Sequence, residues 1–169
     1  MSEKNKLLPK GFVIIASTQK KYYYAAQECI ESLKDFYPEA HVTFFTHEEW
    51  VEDSDYQLFD NIVTEGVPNN IRAKLWALDK TPYELTTYLD ADTVIQHEDI
   101  EHVFDLLPDD KDIVFTKNRP YNSKITKIGD KEDEVMTCHC GFFVFRNNES
   151  TRELMHQWYT KYQEQRQPG

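Results

Sequence analysis

Hydrophobic residues along this chain fall into short unbroken runs that alternate with stretches of helical spacing. Gly11-Phe12-Val13-Ile14-Ile15-Ala16-Ser17 is apolar without alternation, the pattern of a strand buried on both faces. Residues 22–37 then place Ala26, Ile30, Leu33 and Tyr37 three or four apart, one stripe of a helix that Pro38 ends. Val42-Thr43-Phe44-Phe45-Thr46 reads as a second strand, residues 47–59 as a short irregular helical connection, and Asn61-Ile62-Val63-Thr64 as a third strand. Asn70 is placed to cap a helix over residues 71–79 with the stripe Ile71, Leu75 and Leu78, and Pro82 closes it. Leu85-Thr86-Thr87-Tyr88-Leu89 predicts a strand that runs straight into Asp90-Ala91-Asp92. A helix near residues 99–107, a strand at 113–116, a long polar loop to Thr137, a strand at 141–145 and a helix from about 150 to 163 complete the pattern.

Strands that alternate with helices predict an α/β fold, a Rossmann-like, mainly parallel sheet flanked by helices. No repeat or linker interrupts it, so the expectation is a polar tail over residues 1–10 and one domain over 11–169. In such sheets ligands bind beyond the carboxyl ends of the strands. The Asp90-Ala91-Asp92 segment falls at one such end, and the Ala16-Ser17-Thr18 turn falls at another.

Composition narrows the function classes. The 169 residues carry a formal net charge of −11, a sign that opposes nucleic acid and anionic membrane surfaces. An anionic ligand would therefore need a cation or a local basic group. No apolar run approaches the roughly 20 residues of a membrane span, and residues 1–10 lack the apolar stretch of a secretory signal. The expectation is a soluble, cytoplasmic protein. Cys29, Cys138 and Cys140 are too few for a disulfide framework.

The candidate chemistry starts from the acidic pair. Asp90 and Asp92, one residue apart in extended backbone, would project to the same side. Together they offer oxygen ligands to a hard cation such as Mn²⁺ or Mg²⁺. Such an ion can bridge a diphosphate and take up charge as it departs. An exposed acidic turn is the competing reading of the same residues.

Tyr88-Leu89-Asp90-Ala91-Asp92-Thr93-Val94-Ile95 resembles the DxD segment of GT-A-fold glycosyltransferases, the glycogenin-like nucleotide-diphospho-sugar transferases in particular. Three more segments match in order. Phe12 to Thr18 with Tyr22-Tyr23 resembles the first strand and nucleotide-binding turn. Arg72-Ala73-Lys74-Leu75-Trp76 resembles the helix with a sugar-nucleotide-contacting lysine. Cys140-Gly141-Phe142-Phe143-Val144-Phe145 resembles the strand that borders the donor sugar.

The resemblance implies a metal-dependent transfer from a nucleoside diphosphate sugar, UDP-sugars being favoured, to an acceptor the residues do not name. It places Ala16, Ser17 and Thr18 on the nucleoside and stacks Tyr23 on the base. Asp90 would lie near the ribose and metal, with Asp92 the firmer metal ligand. Lys74 would reach the diphosphate or sugar, and Arg72, His139 and Gly141 would border the donor. Asp92 and Lys74 would carry the catalysis.

The residues themselves leave alternatives open. Lys74 borders the apolar stripe of its helix, so it needs an anionic partner or must snorkel to the surface. Arg72 could instead pair with Asp79 or Glu65. Gly141 allows either close ligand approach or a bulge. Where the family commonly has Asn-Ser-Gly, this chain has His139-Cys140-Gly141. Cys138-His139-Cys140 also invites a zinc reading, but alternate residues of a strand face opposite ways, so buried thiols are the default.

The chain ends at Gln167-Pro168-Gly169, before the acidic motif and histidine that follow in glycogenin-like enzymes, so the acceptor part is expected to be missing. That keeps a catalytically inactive sugar-nucleotide-binding module as an alternative. Asp90-Ala91-Asp92-Thr93-Val94 also fits the haloacid-dehalogenase phosphatase motif with Asp90 as nucleophile. That motif belongs on a first strand, which this one is not. A nucleotidyltransferase would be expected to have a glycine-rich loop after strand one, and Ser17-Thr18-Gln19-Lys20-Lys21 has no glycine.

Overall fold

The computed structural model describes residues 6–117 and 138–166. The elements run β1 (Leu8–Ile15), α1 (Lys20–Phe36), β2 (Val42–Phe45), a 3-10 turn (Glu48–Trp50), α2 (Asp55–Leu58), β3 (Asn61–Val63) and α3 (Ala73–Leu78). After these come β4 (Tyr83–Leu89), a longer 3-10 segment (Glu98–Leu106), β5 (Ile113–Lys117), β6 (Cys138–Arg146) and α4 (Glu149–Arg166). Six strands form one sheet in the order β3-β2-β1-β4-β6-β5.

β1 pairs in parallel with β2 and β4, and β2 with β3, whereas β6 is antiparallel to both β4 and β5. Of the described strands only β6 is therefore reversed, and the sheet is mainly parallel as expected. The reversal matters for the site. It brings the start of β6 beside the end of β4, with Leu89 opposite Phe142 and the Asp90 amide donating to the Gly141 carbonyl at 2.8 Å.

The sheet has a core on each face. Phe12 and Ile14 of β1 point toward Ala26, Ile30 and Leu33 of α1 and Phe104 of the long 3-10 segment. Val13 and Ile15 point the other way, into the cluster holding Ala73, Ala77 and Leu78 of α3 and Met155 of α4. This two-sided burial is why β1 reads as a continuous apolar run. Each buried Phe, Val, Ile, Leu or Met side chain among these contributes about 1.5–3 kcal/mol, and the Phe12 and Phe104 rings add an edge-to-face contact at 5.3 Å. Gly11 permits a close approach between β1 and Tyr83 of β4, because a Cβ there would stand 2.3 Å from the buried Tyr83 ring. The Tyr83 hydroxyl is held at 2.8 Å by both His41 and Thr43.

Three local expectations are corrected, and a fourth is not tested. The polar tail ends earlier than residue 10, since β1 begins at Leu8 and Leu8 and Lys10 pair with Tyr83 and Leu85. Backbone pairing needs no buried side chain, and residues 8–10 are exposed. The helix expected over residues 71–79 is α3, starting at Ala73, and Ile71 is 71% exposed rather than part of its stripe. The Asn70 side chain accepts from the Arg72 amide at 2.9 Å, which turns the chain before the helix starts. Residues 98–106 form 3-10 turns instead of an α-helix. The loop expected from Lys117 to Thr137 lies, past Lys117, outside the described residues.

Candidate donor-binding cleft

The ends of β1 and β4 and the start of α3 converge on one cleft of about 350 Å³. Its walls include the Ala16-Ser17-Thr18 turn, Arg72, Lys74, Asp90 and Asp92, so seven of the residues singled out in the sequence meet in one place. A wider hollow of about 840 Å³ lies between Asp79 and the start of α4, and none of these residues lines it. Location at the strand ends, where backbone groups leave the ladder, is the better guide to a ligand site than volume.

The acidic pair sits differently from a strand-borne pair. The chain leaves β4 at Leu89 and turns, with the Thr93 amide donating to the Asp90 carbonyl at 3.0 Å. The strand pleat therefore does not set the directions of the two carboxylates, although both reach the cleft. Asp92 is exposed. Asp90 is engaged, its Oδ1 accepting from Lys74 Nζ at 2.6 Å and from the Tyr88 hydroxyl at 2.8 Å.

Lys74 thus has the anionic partner its position demanded. Its ammonium also donates to the Cys140 carbonyl at 3.1 Å and lies over the Tyr88 ring at 4.9 Å. Burial pushes the Tyr88 phenol well above its ordinary range, and the Asp90 charge pushes the same way, so Tyr88 remains a neutral donor. Cys29 lies under this site and is fully buried. Its thiol is pushed up to about 12, first by burial and then by the charges of Asp92 and Asp90.

Gly141 explains itself in this geometry. A Cβ would stand 2.6 Å from Asp90 Oδ2 and 2.5 Å from His139 Cε1. The residue is small because a carboxylate and an imidazole already crowd it. His139 is exposed, and its Nδ1 accepts from the Gly141 amide at 3.2 Å. Neither His139 nor Gly141 is part of the cleft wall itself; both border Asp90 from β6.

Two side-chain expectations fail. Tyr23 does not face a base. It is fully buried, and its hydroxyl donates to the buried Asp55 at 2.6 Å, with Gln27 on the other Asp55 oxygen at 2.7 Å. Its neighbour Tyr22 lines the cleft instead. Spacing alone does not separate the two, since Tyr23 lies three residues and Tyr22 four residues before Ala26, and Tyr22 is itself half-buried against the same cluster. The cysteines of the Cys138-His139-Cys140 run are likewise not buried thiols, for Cys138 is exposed and Cys140 half-buried. The β6 backbone bulges here, Thr116 pairing with His139 where Phe115 pairs with Phe143, so simple strand alternation does not hold.

Arg72 makes no ion pair with Asp79 or Glu65 among the described residues and stays exposed at the cleft. Unforeseen in the sequence are Asn70 and Tyr88 on the cleft wall and Tyr159 of α4, whose hydroxyl accepts from the Asn70 side chain at 3.4 Å. Among the described residues no three His, Cys, Asp or Glu side chains gather as a ready ligand set. Asp90 and Asp92 alone supply two hard oxygen donors, which fit Mn²⁺ or Mg²⁺ only with water or ligand oxygens completing the shell.

Compared by sequence, the chain matches no protein-family model and no curated protein. Compared by structure, it superposes on the glycosyltransferase GlyE of Streptococcus pneumoniae TIGR4 with a TM-score of 0.65, 14% identity, and coverage of 94% of this chain and 39% of that one. The galactosyltransferase LgtC, solved with donor and acceptor sugar analogues, matches with a TM-score of 0.53 and 16% identity over 92% of this chain and 64% of its own. The 4-diphosphocytidyl-2C-methyl-D-erythritol synthase of Anaerococcus prevotii DSM 20548 matches at 0.56 and 11% identity, covering 96% and 78%. The fold is that of the nucleotide-diphospho-sugar transferases. This GT-A-like chain spans well under two thirds of GlyE and just under two thirds of LgtC. No helix among its described residues is long and apolar enough to cross a membrane.

Proposed function

We propose that this domain binds a nucleoside diphosphate sugar in the cleft at the ends of β1 and β4 and transfers the sugar to an acceptor. The observation that carries the reading is the Lys74–Asp90 pair at 2.6 Å, set at the strand ends beside Asp92 and the Ala16-Ser17-Thr18 turn. Two carboxylates and a buried-stem ammonium in one cleft suit a diphosphate with a cation better than a neutral ligand. The fold, shared with enzymes named as glycosyltransferases, supports the same reading.

Asp90 and Asp92 would hold Mn²⁺ or Mg²⁺, whose chemistry is to take up charge on the departing diphosphate. Lys74 supplies a second positive charge from α3, in direct contact with Asp90. Ser17 and Thr18 face the nucleoside, and Tyr22 replaces Tyr23 as the aromatic that meets the base. A UDP-sugar is the favoured donor, by resemblance to glycogenin-like enzymes. The turn after β1 has no glycine, which favours glycosyl over nucleotidyl transfer. The phosphatase reading of Asp90 is disfavoured, because a nucleophile already bound by Lys74 and Tyr88 follows the fourth strand rather than the first.

A binding module without turnover is the second reading, favoured by the engagement of Asp90 with Lys74 and Tyr88, which leaves Asp92 as the exposed carboxylate of the pair. Calorimetric titration with UDP, GDP and their sugars, in Mn²⁺ and then in EDTA, tests the donor site. Metal-dependent binding of one diphosphate, lost in Asp92→Asn with the melting temperature unchanged, is the expected outcome. Equal affinity in Asp92→Asn and wild type would overturn the metal assignment. Release of free sugar or transfer to added acceptors separates the enzyme from the binding module.

A further inference from the structure

The ammonium of Lys74 has a complete shell of protein partners: Asp90 Oδ1 at 2.6 Å, the Cys140 carbonyl at 3.1 Å and the Tyr88 ring at 4.9 Å. Its side chain is only 13% exposed. Asp90 in turn spends one oxygen on Lys74 and Tyr88, and the other faces Gly141, where no Cβ intervenes. A divalent cation approaching Asp90 therefore meets a carboxylate already neutralised, with a positive charge beside it. Like charges on one carboxylate oppose each other in proportion to their nearness. The lysine stem is flexible, so the ammonium can turn into the cleft once an anion is present to receive it.

We propose that the Lys74–Asp90 pair is an internal lock in which the ammonium stands in for the cation until a diphosphate arrives. Cation and diphosphate then bind cooperatively, each strengthening the other. The diphosphate draws Lys74 off Asp90, and the freed carboxylate joins Asp92 on the cation. Coupling of this kind is reciprocal and typically amounts to about 5–150-fold. The inference rests on the donor-site reading above and adds the order in which the charges are exchanged.

The test is Mn²⁺ binding to metal-free protein, followed by the paramagnetic resonance signal of free Mn²⁺, with and without UDP. UDP chelates Mn²⁺ by itself, so the deciding comparison is Mn²⁺ alone, variant against wild type. Lys74→Met is expected to bind Mn²⁺ alone about fivefold or more tightly than wild type, and to bind UDP in Mn²⁺ more weakly. Lys74→Gln keeps a neutral donor for the Cys140 carbonyl and should change in the same direction. Cooperative melting of either variant establishes that it folds. If the folded variants bind Mn²⁺ alone no more tightly than wild type, while wild type still binds UDP with Mn²⁺, the lock is refuted and the donor site stands. If wild type shows no metal-dependent UDP binding, the donor site falls and the lock falls with it.

Discussion

Replacing Gly141 with alanine puts the geometry of the cleft to a direct test. The new methyl would stand 2.6 Å from Asp90 Oδ2 and 2.5 Å from His139 Cε1. Non-bonded heavy atoms rest comfortably near 3.5 Å, so each neighbour must retreat by roughly 0.9 Å. His139 is exposed and can swing away, losing only its contact with the Gly141 amide. Asp90 has less freedom, because its other oxygen is held by Lys74 at 2.6 Å and Tyr88 at 2.8 Å. A shift of roughly 0.9 Å carries at least one of these past the ~3.2 Å limit of a useful hydrogen bond.

A hydrogen bond to a charged group is worth about 1.5–3 kcal/mol, but the Asp90 side chain is 35% exposed and solvent makes good part of the loss. The expected cost in stability is thus about 1 kcal/mol, a fall in melting temperature of about 2–4 °C for a domain of this size. Binding should suffer more than folding. Displacing a carboxylate proposed to hold the cation should weaken metal-dependent UDP binding by about tenfold or more, equivalent to about 1.4 kcal/mol. Thermal melting and calorimetric titration of Gly141→Ala read the two effects separately. A variant that melts and binds UDP like wild type would refute the claim that the Gly141 gap fixes Asp90.

Tyr23→Phe removes only the hydroxyl that serves buried Asp55, so stability should fall by about 1–3 kcal/mol while UDP affinity stays within about twofold of wild type. Tyr22→Ala, which also removes a partly buried core contact, should lose roughly tenfold in nucleotide affinity as a lost base–aromatic contact would; calorimetry on both variants checks the pair, and equal UDP affinities would undo the assignment. Stability should also decline in alkali. Cys29 is raised from 9.0 to about 12, and Tyr23, Tyr83 and Tyr88 are likewise pushed up by burial. The unfolded chain therefore releases protons that the folded chain keeps, and the stabilisation present below pH ~9 drains away as pH rises toward ~12, by up to ~1.4 kcal/mol per unit for each titrating group. Urea midpoints measured from pH 7 to 11 should be flat and then fall, less steeply in Cys29→Ala; an unchanged slope in that variant would contradict the raised thiol.

Much of this protein is decided within short stretches of its sequence. The buried strand β1, the stripe of α1 and the strand running into Asp90 follow from periodicity, because two-sided burial and helical facing are local demands on residue type. The strand-end location of Ala16, Ser17, Thr18, Asp90 and Asp92 follows from the same reading, and so does the need of Lys74 for an anion. The choice of Asp90 as that anion is tertiary, since it depends on α3 packing beside β4 at a sequence separation of 16. The reversal of β6, which carries Gly141 to Asp90, has no local signature at all. Tyr22 and Tyr23 lie side by side in the chain and are separated only by which of them the sheet covers. Short-range pattern sets what each segment can become. Which charges finally meet is fixed by packing, because the energy of a buried or half-buried charge depends on partners that only the folded chain brings within reach.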